Sequence, residues 1–409
     1  RILLRKQRKQ FPENNYRKET VKQMAESYVI GVDFGSDSVR ALIVNTETGE
    51  NVGQGVACYP RWKAGLYQHP EHSIFRQHPL DYLESLEKCI TTALAELTEE
   101  QKDHVIGIGV DTTGSTPVPV DKNGTPLALL DEFAENENAM FFLWKDHAAA
   151  AEADEINKLF RNNSENDYTK YQGDYSAEWY WAKILYAVRH DEAIRQAAYT
   201  WEEHCDWMTG ILCGETRPEK IYHSACAAGH KALWHSEWNG LPAASVLEQL
   251  DPYLVQVRER YGNAPQPSTV KVGTLCPEWA KKLGLKESTV ISGSSFDAHA
   301  GAVGAGIQKK TFVCTMGTSC VDMFVEKPEN LKGKDIQAYC GQAENSILPG
   351  YVGVETGQAA FGDIFAWFKR LLEWPLAELA ADENSGISDE LYKKVEDRIL
   401  VMLQKKAEE

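Results

Sequence analysis

The sequence lacks any apolar run approaching the roughly 20 residues that a membrane-spanning helix needs, and it lacks an excess of basic charge. Its formal net charge is −17, whereas nucleic-acid backbones are bound by net basic patches. None of its nine cysteines forms a C-x-x-C pair, and the sequence ahead of the first strand pattern has no apolar signal-peptide core. We therefore expect a soluble, cytoplasmic protein with reduced thiols that binds neither nucleic acid nor membranes.

What the chain does have is ample core material, since 43% of its 409 residues are hydrophobic and 11 are Trp. Domains usually hold about 100–200 residues, so this length predicts two large lobes. Residues 1–23 differ from the rest in carrying eight Lys or Arg against two Glu. Because Met24 stands just ahead of the first strand pattern, we expect residues 1–27 to be a basic extension outside the lobes; a functional basic arm is the alternative.

The stretch YVIGVDFGSDSVRALIVNTETGE, residues 28–50, predicts two strands joined by a short polar turn. The first strand ends in Asp33, and the turn carries Gly35, Ser36 and Ser38. Backbone N–H groups and hydroxyls at such close range suit phosphate oxygens, and Asp33 could hold Mg²⁺, which prefers oxygen ligands and keeps much of its water. An ordinary hairpin with a polar tip is the alternative.

A second strand-turn-strand pattern, KTFVCTMGTSCVDMFVEKPEN, places Gly317, Thr318 and Ser319 at its turn. Two such hairpins, one near the start of each lobe with nucleotide held between them, are typical of actin-like ATPases and sugar kinases. Phosphoryl transfer needs mainly positioning and charge neutralisation, which backbone amides, hydroxyls and a metal ion can supply. We therefore predict an α/β protein with the actin-like ATPase (ribonuclease H-like) two-lobe fold.

Asp297 follows a strand pattern in STVISGSSFDAHAGAVGAGI and precedes a helix of small residues. Small neighbours let a substrate approach, so Asp297 is a candidate general base toward a sugar hydroxyl. The alternative is a helix N-cap, a position at which Asp is among the preferred residues.

These stretches, together with GVDTTGSTPVPVD, WEEHCDWMTG, SACAAGHKALWH and VETGQAAFGDIFAWF, resemble the FGGY carbohydrate kinases from Met24 to about Phe368. Within that family the set most resembles the bacterial branch that phosphorylates L-ribulose. The resemblance implies ATP and Mg²⁺ as cofactors. It also implies transfer of the γ-phosphoryl group to the 5-hydroxyl of L-ribulose in L-arabinose catabolism. A homodimer is compatible with the resemblance.

The resemblance further implies the roles of individual residues. Asp297 would be the catalytic base, and Lys231 and Glu355 would contact the sugar. Thr116 and Trp144 are further candidates for the sugar contact. A cation and a carboxylate can fix a polyol by charge-assisted hydrogen bonds, which are about twice as strong as neutral ones. The ATP phosphates would be faced by Gly35, Ser36 and Ser38 from one lobe and by Gly317, Thr318 and Ser319 from the other.

The resemblance assigns residues 28–307 to a first lobe with the sugar site and the base, and residues 308–409 to a second, ATP-binding lobe. Family members are longer, and their adenosine-binding Gly-rich loop follows the matched region. We therefore expect an incomplete second lobe, weak sugar binding and little or no kinase activity unless a partner chain supplies the rest. Two alternatives stay open: another FGGY pentulose or polyol kinase, and a non-catalytic sugar-binding remnant.

Overall fold

The computed structural model describes residues 26–317, 320–332, 334, 341–358, 361–381 and 388–407. The predicted basic extension therefore lies almost wholly outside the described residues, and so do Thr318 and Ser319. No helix in the described part of the chain combines the length and the apolar character of a membrane span.

The strands and helices alternate along most of the chain, as predicted for an α/β protein. The strands are β1 (Tyr28–Phe34), β2 (Ser38–Asn45), β3 (Asn51–Cys58), β4 (Gln68–His69), β5 (Ile74–Gln77), β6 (Val105–Thr112), β7 (Pro117–Val120), β8 (Phe141–Phe142), β9 (Thr200–Glu203), β10 (Lys271–Thr274), β11 (Val290–Ser292), β12 (Ser295–Phe296), β13 (Val313–Met316), β14 (Cys320–Glu326), β15 (Gly341–Glu344) and β16 (Val352–Gln358). The α-helices are α1 (Pro60–Lys63), α2 (Pro79–Leu94), α3 (Glu99–Asp103), α4 (Ala150–Arg161), α5 (Tyr180–His190), α6 (Glu192–Ala197), α7 (His204–Cys213), α8 (Ala225–His230), α9 (Ala244–Leu250), α10 (Pro252–Glu259), α11 (Pro277–Leu283), α12 (Asp297–Gly304), α13 (Pro328–Leu331), α14 (Gly362–Ala381) and α15 (Asp389–Ala407). Short 3-10 turns cover Pro70–His72, Leu127–Leu129, Asp131–Phe133, Glu137–Ala139 and Ser236–Trp238.

A seven-stranded mixed sheet is the centre of what we call the first lobe. Its order is β10, β11, β6, β1, β2, β3, and β12 pairs with β6 beside this row. The strands β1, β2 and β3 are antiparallel, so the predicted opening hairpin is confirmed and extends into a third strand. The strand β6 runs parallel to β1, β11 and β12, which brings the carboxyl ends of β1, β6 and β12 to the same edge of the sheet.

Helix α2 packs on this sheet through two glycines of β3. A Cβ at Gly55 would lie 2.1 Å from the carbonyl oxygen of Cys89, and one at Gly53 would lie 2.6 Å from that of Ala93. The helix backbone therefore rests directly on the strand. The apolar spacing that predicts a helix from Pro79 is confirmed by α2.

A second buried core, rich in aromatic side chains, lies among the helices α4, α5, α9 and α10. The aromatic composition of residues 171–199 predicts a helical region, which is confirmed from Tyr180 onward by α5 and α6, whereas residues 171–179 form turns. The pattern WEEHCDWMTGILCG predicts one helix that ends at Gly214, but its first three residues belong to a strand that ends at Glu203, and the helix begins at His204. Pairing of β9 with β7 explains the difference, because tertiary contacts override local propensity. The predicted end of this helix is confirmed, since α7 ends before Gly214 (φ 70°), a left-handed position that glycine adopts readily.

A four-stranded antiparallel sheet, in the order β13, β14, β16, β15, follows in the chain. The predicted second hairpin is formed by β13 and β14. Ala302 of α12 shares a buried cluster with Met323 and Val325 of this sheet. At the other edge, a Cβ on Gly229 of α8 would lie 2.5 Å from the Cβ of Ala343 in β15. The second sheet therefore packs closely against the first lobe.

The last two described helices expose much of their apolar surface. Phe365, Trp367 and Trp374 of α14 are each more than half exposed. The segment SDELYKKVEDRILVMLQKKAEE predicts an amphipathic helix with Ser388 as its N-cap, and α15 confirms this, since Ser388 Oγ accepts the N–H of Leu391 (3.2 Å).

Gly55→Ala should lower the free energy of unfolding, because the new Cβ would push the backbone of α2 away from β3. Overpacking a core typically costs about 1–3 kcal/mol. Urea unfolding followed by circular dichroism measures the change. The matched control is Gly31→Ala in β1, where a Cβ would meet no described atom within 4 Å. Equal losses from the two substitutions would contradict the packing argument.

Candidate active site

Three carboxylates lie together where neighbouring strands of the first lobe end. Asp33 of β1 stands opposite Asp111 of β6, and Asp111 stands opposite Ser295 of β12. Asp297 follows β12 as the first residue of α12. Burial, and then the negative charges of Asp33 and Asp297, raise the pKa of Asp111 well above its usual value. Asp111 was not among the predicted site residues, although its strand ends in the same way as β1.

Asp297 has the surroundings of a proton acceptor. Burial raises its pKa to about 6; the N–H of Ala298, which donates to Oδ1 at 2.7 Å, opposes this rise, and the charge of Asp33 adds to it. A carboxyl group that titrates near neutral pH suits a general base. The N-cap position of α12 is occupied by Phe296, one residue earlier than the N-cap alternative requires.

The first predicted phosphate turn is held in shape by its neighbours. The N–H of Gly35 donates to the carbonyl oxygen of Ser38 (3.0 Å), and Gln77 Nε2 donates to the carbonyl oxygen of Ser36 (2.6 Å). Trp144 Nε1 donates to Ser36 Oγ (2.9 Å). Trp144, predicted on the sugar side, therefore reaches the turn predicted to face phosphate.

Asp33 lies beside this turn with its two carboxylate oxygens in different surroundings. Arg40 Nη1 donates to Oδ2 at 3.1 Å. Oδ1 is buried, and no donor among the described residues reaches it. A carboxylate oxygen with spare capacity suits a hard cation, so Asp33, with Asp111 next to it, fits Mg²⁺.

The second predicted phosphate turn is described only in part. The carbonyl oxygen of Gly317 accepts the N–H of Gly362, the first residue of α14 (3.1 Å). Thr318 and Ser319 lie outside the described residues, so their phosphate contacts stay predictions.

Glu355 of β16 is the centre of a buried ion-pair cluster. Lys231 Nζ donates to Glu355 Oε1 at 2.9 Å, and His299 Nε2 lies 3.0 Å from Oε2. His230 Nδ1 lies 3.7 Å from Oε1. The two predicted sugar contacts, Lys231 and Glu355, stand 124 positions apart in the sequence and are brought into direct contact.

The charges of this cluster depend on one another. Burial alone would raise the pKa of Glu355, but Lys231 and the two histidines outweigh it and hold that pKa well below its usual value. Burial also opposes the charged form of His299, but Cys226 and Glu355 raise its pKa to about 10. Burial lowers the pKa of His230 to about 3. At neutral pH a carboxylate therefore lies between two cations.

His230, His299 and Glu355 also carry the donor atoms of a His₂Glu metal site, and these atoms lie within 4.8 Å of one another. The Lys231 ammonium group competes for the same carboxylate at 2.9 Å. A metal ion would have to displace this ammonium group. We therefore interpret the cluster as an ion-pair network.

Two buried charges that the sequence analysis missed hold the loop that contains Thr116. The N–H of Thr116, which is completely buried, donates to Glu203 Oε2 (2.9 Å). Lys183 Nζ donates to the carbonyl oxygens of Ser115 and Leu143, both at 2.8 Å. The signal for Lys183 was a charge inside the apolar helix pattern WYWAKILYAV, where lysine is rarely buried. The sugar contact of Thr116 stays a prediction.

Comparison with known proteins gives consecutive matches to the two domains of one family. Residues 28–304 match the N-terminal domain of the FGGY family of carbohydrate kinases, and residues 312–407 match the C-terminal domain of that family. The first of these matches alone covers more than half of the chain.

Relatives of known name are similar to the chain over most of its length. It is 46% identical over 385 residues to a ribulokinase of Vibrio parahaemolyticus, a match that covers 94% of this chain and 68% of the relative. It is 35% identical over 353 residues to a ribulokinase of Shouchella clausii, covering 84% of this chain and 60% of the relative. The chain thus spans between 60% and 68% of the length of these two relatives.

Solved structures share the fold at low sequence identity. A xylulose kinase from Rhodospirillum rubrum superposes with a TM-score of 0.66 at 18% identity, covering 87% of this chain and 66% of that one. Plasmodium falciparum glycerol kinase with ADP gives a TM-score of 0.66 at 14% identity, covering 88% and 65%. The predicted actin-like ATPase fold is thereby confirmed. From the domain matches and the 46% identical relative, the chain belongs to the FGGY family of carbohydrate kinases.

Proposed function

We propose that this protein is an ATP-dependent kinase that converts L-ribulose to L-ribulose 5-phosphate in L-arabinose catabolism. The observation that carries the proposal is the position of Asp297. It lies among the strand-end carboxylates and close enough to His299 and Lys231 for their charges to lower its pKa. A candidate base therefore lies near a charged pair that is able to hold a polyol. The relatives named ribulokinase support L-ribulose as the sugar.

In this proposal the sugar is held by Lys231 and Glu355. The ammonium group donates to sugar oxygens and the carboxylate accepts from sugar hydroxyls, which fixes the direction in which the pentulose lies. Asp297 takes the proton of the 5-hydroxyl while that oxygen attacks the γ-phosphorus of ATP and ADP leaves. A pKa of about 6 leaves Asp297 ionised at neutral pH and still able to accept the proton.

The phosphates would lie against the two hairpin turns. The predicted contacts are Gly35, Ser36 and Ser38 from the first turn and Gly317, Thr318 and Ser319 from the second. The hydrogen bond from Trp144 to Ser36 supports a first turn of fixed shape. Asp33 would hold Mg²⁺, largely through water, with Asp111 beside it. When bound, Mg²⁺ neutralises charge on the phosphates.

We further propose that the protein works in the cytoplasm, with the sugar and ATP as its small-molecule partners and without nucleic acid or membrane. The net charge of −17 supports the exclusion of nucleic acid. A homodimer belongs to the same proposal, and the exposed apolar side chains of α14 support self-association.

An assay of sugar-dependent ADP release tests the function. L-ribulose, D-xylulose and glycerol would be compared on this chain and on a chain extended with the remaining part of the Vibrio relative. We expect the highest kcat/KM for L-ribulose in the extended chain. A higher kcat/KM for another sugar would establish a different FGGY kinase. Calorimetric binding of L-ribulose without turnover in either chain would establish a non-catalytic sugar-binding protein.

Asp297→Asn in the extended chain should lower kcat on the order of 10²-fold or more, since general-base catalysis usually contributes 10²–10⁴-fold. In the unchanged enzyme kcat/KM should rise with pH through about 6, because Asp297 accepts a proton only when it is ionised. This acidic limb should be absent from the variant. Asp154→Asn, at an exposed position of α4, is the control and should leave the profile unchanged. Near-normal turnover in Asp297→Asn would remove Asp297 from the mechanism.

A further inference from the structure

Glu355 joins the second sheet to the first lobe. It lies on β16, whereas the two cations that hold its carboxylate belong to other elements: Lys231 directly follows α8, and His299 lies in α12. Lys231 Nζ is 2.9 Å from Oε1, and His299 Nε2 is 3.0 Å from Oε2. Because each cation takes a different oxygen, the carboxylate is fixed in orientation as well as in position.

His299 is also close to the candidate base along the chain. It stands two residues after Asp297, within the first turn of α12. A rigid helical turn moves as one piece, so a displacement of His299 also displaces Asp297. Glu355 is therefore connected to Asp297 by one ion pair and one helical turn.

The packing around this connection leaves little room for rearrangement. His299 and His230 are 2% and 0% exposed. A Cβ on Gly341 would lie 2.7 Å from Cγ of Glu355 and 2.4 Å from Nδ1 of His230. Close-packed interiors relax only partly when a group is removed. A small shift of the neighbouring groups would therefore not replace the contact that His299 makes with Glu355.

We propose that His299 is a positioning residue that holds Glu355 in the orientation required for sugar binding and couples this carboxylate to the helix that carries Asp297. The inference rests on the proposed function but goes beyond it. Lys231 alone would balance the charge of Glu355, so sugar binding by Lys231 and Glu355 does not by itself require His299. The contact between His299 and Oε2 adds a second fixed point, which restricts the rotation of the Glu355 carboxylate.

Isothermal titration calorimetry of L-ribulose with the full chain tests the proposal in four proteins: unchanged, His299→Gln, Glu355→Gln and the double variant. His299→Gln should raise the Kd about 10- to 100-fold, because the Glu355 carboxylate loses one of the two cations that orient it. In the Glu355→Gln background the same substitution should have little further effect, because the carboxylate through which His299 acts is gone.

His223→Gln is the matched control. His223 is as buried as His299, and its Nδ1 lies 3.1 Å from Asp206 Oδ2, so it pairs with a different carboxylate. The substitution should leave the Kd for L-ribulose unchanged even where it lowers Tm. An equal rise of the Kd in His223→Gln and His299→Gln would overturn the proposal, because both substitutions would then act through general destabilisation.

The remaining outcomes separate this inference from the function. An unchanged Kd in His299→Gln would overturn the inference. So would a rise of the Kd by the same factor when this substitution is made in the Glu355→Gln background. Both results would leave the proposed function intact. Absence of L-ribulose binding by the unchanged chain would overturn both. Should His299→Gln fail to fold, imidazole ¹⁵N NMR of the unchanged chain replaces it. L-ribulose should then shift a doubly protonated buried ring, and an unchanged spectrum would overturn the inference.

Discussion

The buried carboxylate of Glu355, held between Lys231 and His299, is the interaction on which the arrangement of the site depends. Removing a carboxylate from water is costly unless cations compensate it, and losing one partner of such a pair is strongly destabilising. Here the compensation comes from two elements of the first lobe, while the carboxylate comes from the second sheet. The same electrostatic requirement therefore fixes the sheet against the lobe and assembles the charged groups assigned to the sugar.

The parallel strands of the central sheet position the carboxylates that form the other part of the candidate site. Because β1, β6 and β12 run in the same direction, Asp33, Asp111 and Asp297 come to one edge of the sheet. Their mutual repulsion and burial favour binding of a cation there and raise the pKa of the candidate base. The fold thus places the carboxylates proposed to hold Mg²⁺ next to the proposed base, with the turn predicted to face phosphate beside them.

Local features of this structure could be predicted from local patterns. The opening hairpin, the end of α7 at Gly214 and the N-cap Ser388 each depend on a few neighbouring residues, and all three are confirmed. Lys231 and Glu355 were assigned to the sugar by resemblance, but their direct contact depends on the close approach of α8 and β15. His299 and Glu203 were missed because burial of a charge shows only when distant elements pack, whereas Lys183 had a local signal in its position inside an apolar helix pattern. Pairing of β9 with β7 likewise makes residues 201–203 a strand, where a helix was predicted.

A crystal structure of the chain with L-ribulose tests the central claim most directly. We predict that the sugar lies beside the Lys231–Glu355 pair, with oxygens within hydrogen-bond distance of both side chains and with the 5-hydroxyl beside Asp297. Both oxygens of Glu355 should keep their cations. A pentulose bound elsewhere, or one bound in this site with its 5-hydroxyl directed away from Asp297, would contradict the account.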